Sequence, residues 1–104
     1  MVTISTDNSV VTLINVFTVE PQNQQRVVDI LEATRQVMQH VPGYVSASIH
    51  KSLNGLRVAN YAQWESQETF EAMFHDPSVK EHMDELLKIS TADPHLYELL
   101  STGR

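Results

Sequence analysis

The segment 44–65, YVSASIHKSLNGLRVANYAQWE, decides the fold. Its first half alternates, with Val45, Ala47 and Ile49 on one side and Tyr44, Ser46, Ser48 and His50 on the other. A period of two is the signature of a strand with two different faces. Asn54-Gly55 follows, the dipeptide best suited to the left-handed angles of a tight hairpin turn. Leu56 to Glu65 then returns as the partner strand. The segment predicts a β-hairpin.

Outward from the hairpin, the pattern changes period. Upstream, Pro42-Gly43 marks a turn, and 22–40 carries apolar residues at Val27, Val28, Ile30, Leu31, Val37 and Met38, with Thr34 on the same side. That spacing paints one helical face over about five turns. Before Pro21, the run 10–19 (VVTLINVFTV) is β-branched and aromatic and reads as a strand. Downstream, Ser66 is a candidate N-cap for a helix through about His75. Asp76-Pro77 breaks it, and 78–89 resumes with Val79, Met83, Leu86 and Leu87 on one face. Asp93-Pro94 breaks the chain again, and 95–100 reads as a short last strand. The order βαββαβ predicts an α+β, ferredoxin-like domain, an antiparallel sheet with helices on one face. The third strand is apolar on both sides, with Ala59 and Tyr61 opposing Val58, Ala62 and Trp64. A strand of that kind expects cover on both faces. No spare helix exists to supply the second cover, so a homodimer packed sheet to sheet about a two-fold axis is expected.

Composition narrows the function. The 104 residues fit one domain, 10–104, behind a flexible polar lead-in, 1–9. A net charge of −6 gives no electrostatic case for nucleic acid or an anionic membrane. With no cysteine, the chain has no disulfide, thiolate metal site or cysteine nucleophile. No apolar run approaches the roughly 20 residues of a membrane helix. Without a signal-like N-terminus, a cytoplasmic protein is expected. Three glycines leave no dinucleotide-binding fingerprint. The five histidines form no short metal motif, so no metal site is expected.

Asn60 and Trp64 share parity with Leu56, Val58 and Ala62, and so share a strand face; Asn15 and Phe17 share a face of the first strand. An amide on an apolar face is costly unless its hydrogen bonds are met. Two readings stand together: a core amide satisfied by nearby backbone beside a space-filling indole, or a pocket for a flat aromatic ligand with both groups aimed at its oxygens. His50 reads either as an acid/base group or as a hydrogen-bonding residue at the sheet edge. Met73, Phe74 and Met83 read as core or pocket lining. Glu81, Asp84 and Glu85 form a solvated helical face.

The stretch Pro42 to His50, then Asn54-Gly55, then Val58-Ala59-Asn60-Tyr61-Ala62-Gln63-Trp64, resembles the antibiotic biosynthesis monooxygenase family. Within it, the pattern is most similar to small monooxygenases of aromatic polyketide tailoring. Thr12 to Phe17 and Asp93 to Glu98 extend the resemblance over about residues 11 to 100. The resemblance implies a dimeric α/β barrel of ferredoxin-like chains. It also implies oxidation of an anthrone or polycyclic phenol to a quinone by O2, with no cofactor. By the same resemblance the catalytic residues are Asn60, donating to an enolate-like oxygen, Trp64, bounding the pocket, and Asn15, a second amide. Phe17, Tyr44, His50, Phe70, Met73, Phe74 and Met83 complete the substrate pocket. Phe70 stands where some relatives carry a tyrosine proposed as proton donor; His50, Tyr44 and Tyr97 are the candidate substitutes. A haem-degrading branch pairs a strand asparagine with a helical tryptophan and histidine, and those helix positions fall on Met73 and Met83 here. A non-catalytic module that holds an aromatic ligand in the same dimeric pocket is the alternative function.

Overall fold

In a computed structural model, residues 10–103 are described. The expected lead-in, 1–9, lies outside them. Four strands and three helices follow the expected order: β1 (Val11–Val19), α1 (Gln24–Met38), β2 (Tyr44–Lys51), β3 (Arg57–Trp64), α2 (Gln67–Ala72), α3 (Pro77–Ile89) and β4 (Ser90–Tyr97). The sheet order is β2-β3-β1-β4, with every neighbouring pair antiparallel. This is the ferredoxin-like α+β plan.

Odd residues of β1 and even residues of β3 turn to the helices. Phe17 and Val58 are fully buried there against Val27, Ile30 and Leu31 of α1 and Leu86 of α3. Burying a side chain of that size contributes about 1.5–3 kcal/mol. A second cluster joins Leu13, Ala62 and Trp64 of the sheet to Phe70, Met73 and Val79. The buried positions of α1, namely 27, 30, 31 and 34, keep the helical period read from the sequence.

The breaks in the pattern have separate causes. Ser66 caps α2: its Oγ accepts from Thr69 N at 3.1 Å, while Thr69 Oγ1 accepts from Ser66 N at 3.2 Å. Asp76 then caps α3, accepting from Ser78 N at 2.9 Å, and Pro77 occupies the first turn where its missing N–H costs nothing.

Three local expectations are corrected. The hairpin is not a two-residue turn. It is a loop in which Ser52 N donates to Arg57 O at 2.9 Å, and only Gly55, at φ +81°, is left-handed. Asn54 acts through its side chain, accepting from Leu56 N at 3.1 Å and Ser52 Oγ at 2.8 Å. The last strand starts at Ser90 rather than after Pro94, because β4 is a sheet edge and an edge tolerates a residue without an N–H. The alternation of β2 also slips: a bulge between Tyr44 and Ser46 moves Tyr44 onto the face of Ala47 and Ile49. His50 stays on the opposite face.

Candidate active site

The helix-covered face is not packed solid. A cavity of about 200 Å³ lies between sheet and helices. Its floor is built by register. Asn15 of β1 pairs directly with Asn60 of β3, so two amides meet at the centre of an apolar surface. Next on the same face lie Leu13 and Ala62, and beyond them Val11 opposes Trp64. Asn15 is only 4% exposed, and its Oδ1 accepts from Asp93 N of the edge strand at 3.2 Å. That bond fixes the acceptor end of the amide against β4. Asn60 is half-buried and lines the cavity.

Trp64 is 1% exposed and anchors an aromatic wall. Tyr44 meets it edge-on at 5.7 Å between ring centres, Phe70 at 6.1 Å, and Phe74 meets Phe70 at 5.4 Å, all near perpendicular. Edge-to-face contacts of this kind add about 0.5–1.5 kcal/mol beyond burial and hold ring orientation. The wall runs from the buried indole to Phe74, 47% exposed, which with Leu87, 54% exposed, forms an apolar mouth between α2 and α3. Gly43 makes the wall possible. It sits at φ +87°, its carbonyl accepts from Glu65 N at 2.7 Å, and a Cβ there would collide with Thr69 of the α2 cap. The backbone approach presses the start of β2, and so Tyr44, against the end of β3 and the start of α2.

Two polar groups stand at the far end of the cavity from the amides. Burial pushes the Tyr44 phenol above its ordinary value, against the opposing pull of Arg35. Arg35 of α1 is held further toward its charged form, first by its hydrogen bond to Glu32, at 2.6 Å, and then by that carboxylate's charge.

The structure therefore brings Asn15, Phe17, Tyr44, Asn60, Trp64, Phe70, Met73, Phe74 and Met83 to one cavity. It does not bring His50 there. His50 is exposed on the other sheet face, with Nε2 3.0 Å from Ser48 Oγ, because the bulge separates its parity from that of Tyr44. Tyr97, the other candidate substitute, is exposed beside His95 on that face as well. His82 lies on α3, its Nδ1 donating to Ser78 O. Among the described residues no three of His, Asp and Glu converge as metal ligands would. The sequence reading missed Arg35, Thr34 and Leu87 as lining residues. Thr34 and Leu87 were visible as members of helical faces, but nothing in their spacing distinguishes lining an empty space from filling it.

A ferredoxin-like sheet and its helices enclosing an apolar cavity, floored by paired amides and walled by an indole, define a small-molecule site. The comparisons with known proteins make the class specific. The family model for antibiotic biosynthesis monooxygenase matches residues 10–85. The tetracenomycin-F1 monooxygenase of Streptomyces glaucescens is 40% identical over 100 residues, which cover 95% of this chain and 89% of that protein. Among solved structures, the ActVA-Orf6 monooxygenase of Streptomyces coelicolor, in complex with nanaomycin D, has a TM-score of 0.83 at 26% identity, covering 94% of this chain and 95% of that one. SnoaB, a cofactor-independent oxygenase from Streptomyces nogalater, has a TM-score of 0.79 at 23% identity, over 89% and 95% of the two chains. The chain belongs to the antibiotic biosynthesis monooxygenase family and is a monooxygenase.

Proposed function

We propose that the protein is a cofactor-independent monooxygenase that converts an anthrone or polycyclic phenol of polyketide type to a quinone with O2, and that it works as a homodimer. One observation carries the reading: the cross-strand pair Asn15–Asn60 on the floor of an apolar cavity walled by Trp64. The relative that acts on tetracenomycin F1, and the neighbour that binds nanaomycin D, support a polycyclic substrate.

Triplet oxygen reacts poorly with closed-shell molecules, so the reaction needs an electron-rich carbanion. Removing a proton from the reacting methylene places charge on the conjugated oxygen. Asn60, with Asn15 beside it, donates to that oxygen and stabilises the anion as an oxyanion hole does. The carbanion passes an electron to O2, and recombination forms a carbon–oxygen bond to a peroxide. The indole N–H of Trp64 holds the peroxide. The peroxide takes up the proton removed first. The second proton then leaves the carbon and the O–O bond breaks. One oxygen stays as the ketone while the other departs as hydroxide, which that second proton converts to water. The substrate supplies all the electrons: one methylene and one O2 become one carbonyl and one water.

The sheet face away from the helices supports the dimer. It carries Ile14 and Val16 of β1 and Ala59 and Tyr61 of β3, half-buried in the single chain. Oxygen uptake and quinone absorbance with dithranol test the site. Asn60→Ala and Trp64→Phe should each slow the reaction about ten-fold or more, the order expected for lost donors. Unchanged rates in both variants end the assignment.

A further inference from the structure

The cavity gathers the oxidisable sulfur of the chain. There is no cysteine, so every sulfur is a thioether. Of the four methionines, Met1 lies outside the described residues, and the other three, Met38, Met73 and Met83, all line the cavity. They do not arrive as one helical stripe: Met38 ends α1, Met73 follows α2, and Met83 sits within α3. Met73 is 4% exposed and shares a buried cluster with Trp64 and Phe70. Half-buried Met38 and Met83 pack against that cluster. Methionine fills irregular gaps in any core. The cluster around Val27, Val58 and Leu86 nevertheless has no methionine among its buried members. The thioethers converge on the indole instead.

We propose that Met38, Met73 and Met83 form an oxidative modification site, which takes an oxygen atom from hydroperoxide inside the cavity and so spares Trp64. The assignment rests on the quinone-forming reading for the source of the hydroperoxide, not for the reactivity of the wall. A hydroperoxide on the substrate carbon goes on to the ketone only when that carbon loses its second proton. Where that loss is slow, a thioether attacks the outer oxygen. The O–O bond breaks, sulfur gives up two electrons and keeps the outer oxygen as a sulfoxide. The inner oxygen stays on carbon and takes the hydroperoxide proton, leaving an alcohol. The three positions differ in what the new oxygen then meets. At Met38 and Met83 partial exposure lets it reach water. At Met73 it enters an apolar cluster, where an acceptor without a donor is costly. Met38 and Met83 therefore carry the modification within an intact fold, and oxidation of Met73 loosens the packing around Trp64.

Two oxidants separate this site from ordinary oxidation through solvent. Hydrogen peroxide arrives through water, whereas cumene hydroperoxide, apolar and aromatic, partitions into an apolar cavity. Each is mixed with the wild-type protein and N-acetylmethionine, and sulfoxide is located by peptide mass spectrometry. Relative to N-acetylmethionine, the summed oxidation of Met38, Met73 and Met83 should be at least about five-fold faster with cumene hydroperoxide than with hydrogen peroxide. Trp64 is the single tryptophan, so loss of tryptophan fluorescence reports its oxidation directly. The triple variant Met38→Leu, Met73→Leu and Met83→Leu nearly conserves volume and should lose that fluorescence at least about three-fold faster under cumene hydroperoxide. No preference for the apolar oxidant overturns the proposal, a measurement that needs no variant. So does an unchanged fluorescence loss in a triple variant whose circular dichroism matches the wild type. Dithranol with catalase present distinguishes the two readings. Quinone formation over many turnovers with no sulfoxide on the three methionines overturns the modification site and leaves the oxygenase. Sulfoxide from cumene hydroperoxide at the expected preference, with no quinone from dithranol, keeps the site and removes the proposed reaction.

Discussion

The two faces of one sheet differ in what their burial accomplishes. On the helix-covered face, β1 and β3 contribute Phe17, Val58, Leu13 and Ala62 to the core, and interrupt that surface with Asn15 and Asn60. On the other face the same two strands place Thr12 against Gln63, both buried, with Gln63 Nε2 donating to Thr12 Oγ1 at 3.3 Å. Around that pair lie half-buried Ile14, Val16, Ala59 and Tyr61, and an exposed pair in which His95 Nε2 donates to Asp93 Oδ1 at 2.8 Å. The difference teaches where to look for chemistry. Most polar groups on the second face pair along the sheet, with Ser46 Oγ, beside Gln63, buried without a hydrogen-bond partner. On the first face, Asn15 commits its oxygen to the edge strand and its neighbour across the register is another amide lining a void. A cavity has to be kept open by rigid surroundings, and the core clusters on either side of the amide pair supply them.

The largest effect that sharpens the comparison comes from adjacent residues of opposite parity. Phe17→Ala removes a fully buried ring from the helix-covered face and should cost about 3–5 kcal/mol, read as a lower denaturation midpoint. Val16→Glu, one residue away, faces the other side and should act through association. The wild type's Tm should rise with protein concentration, and that of Val16→Glu should not. A Phe17→Ala loss no greater than a conservative surface change, or a wild-type Tm independent of concentration, would break the contrast between a self-sufficient face and one completed by a second copy.

Gly43→Ala ranks next, because it attacks the joint where the cavity wall is fastened. Placing a Cβ at φ +87°, against Thr69, should cost about 1–3 kcal/mol and weaken the α2 cap. The same variant should loosen Trp64, read as a red shift in fluorescence as the indole meets water. Full stability with an unshifted emission would show that the close approach is not needed.

The fold was legible because period and punctuation agreed. Strands at 10–19 and 44–65, a helical face at 27–38, and breaks at Pro21, Pro42-Gly43 and Asp76-Pro77 all fall where the elements change. Asn60 and Trp64 were legible as sharing a face of β3, and Asn15 and Phe17 as sharing a face of β1, since parity holds along unbroken strands; that the two faces are one is set by the register Asn15↔Asn60. Where the strand is broken, parity fails: the bulge in β2 put Tyr44 in the cavity and left His50 outside, and a one-residue irregularity leaves no mark in the hydrophobic pattern. Pro94 misled for a different reason. Whether a proline ends a strand depends on whether that strand is an edge, which is a property of the sheet order. Arg35 was not legible at all, because a helical arginine at a polar–apolar boundary looks the same whether water or a cavity lies below it.

The smallest expected effect concerns Tyr44, which belongs to the cavity because of that bulge. Burial raises its phenol above the ordinary tyrosine value, and Arg35 partly opposes the rise. A raised value means the folded chain holds a proton that the unfolded chain has released. Stability therefore carries no penalty from this group below about pH 10, the unfolded value, and falls as pH climbs through the window above it. Tyr44→Phe should flatten that alkaline slope while leaving the unfolding free energy at neutral pH within about 1 kcal/mol, the scale of one hydroxyl hydrogen bond. In an alkaline absorbance titration the same substitution should remove a tyrosinate step lying above the ordinary value, and Arg35→Gln should move that step higher still. A Tyr44 step at or below the ordinary value would mean that burial does not outweigh the charge of Arg35, and would overturn the account of an enclosed phenol.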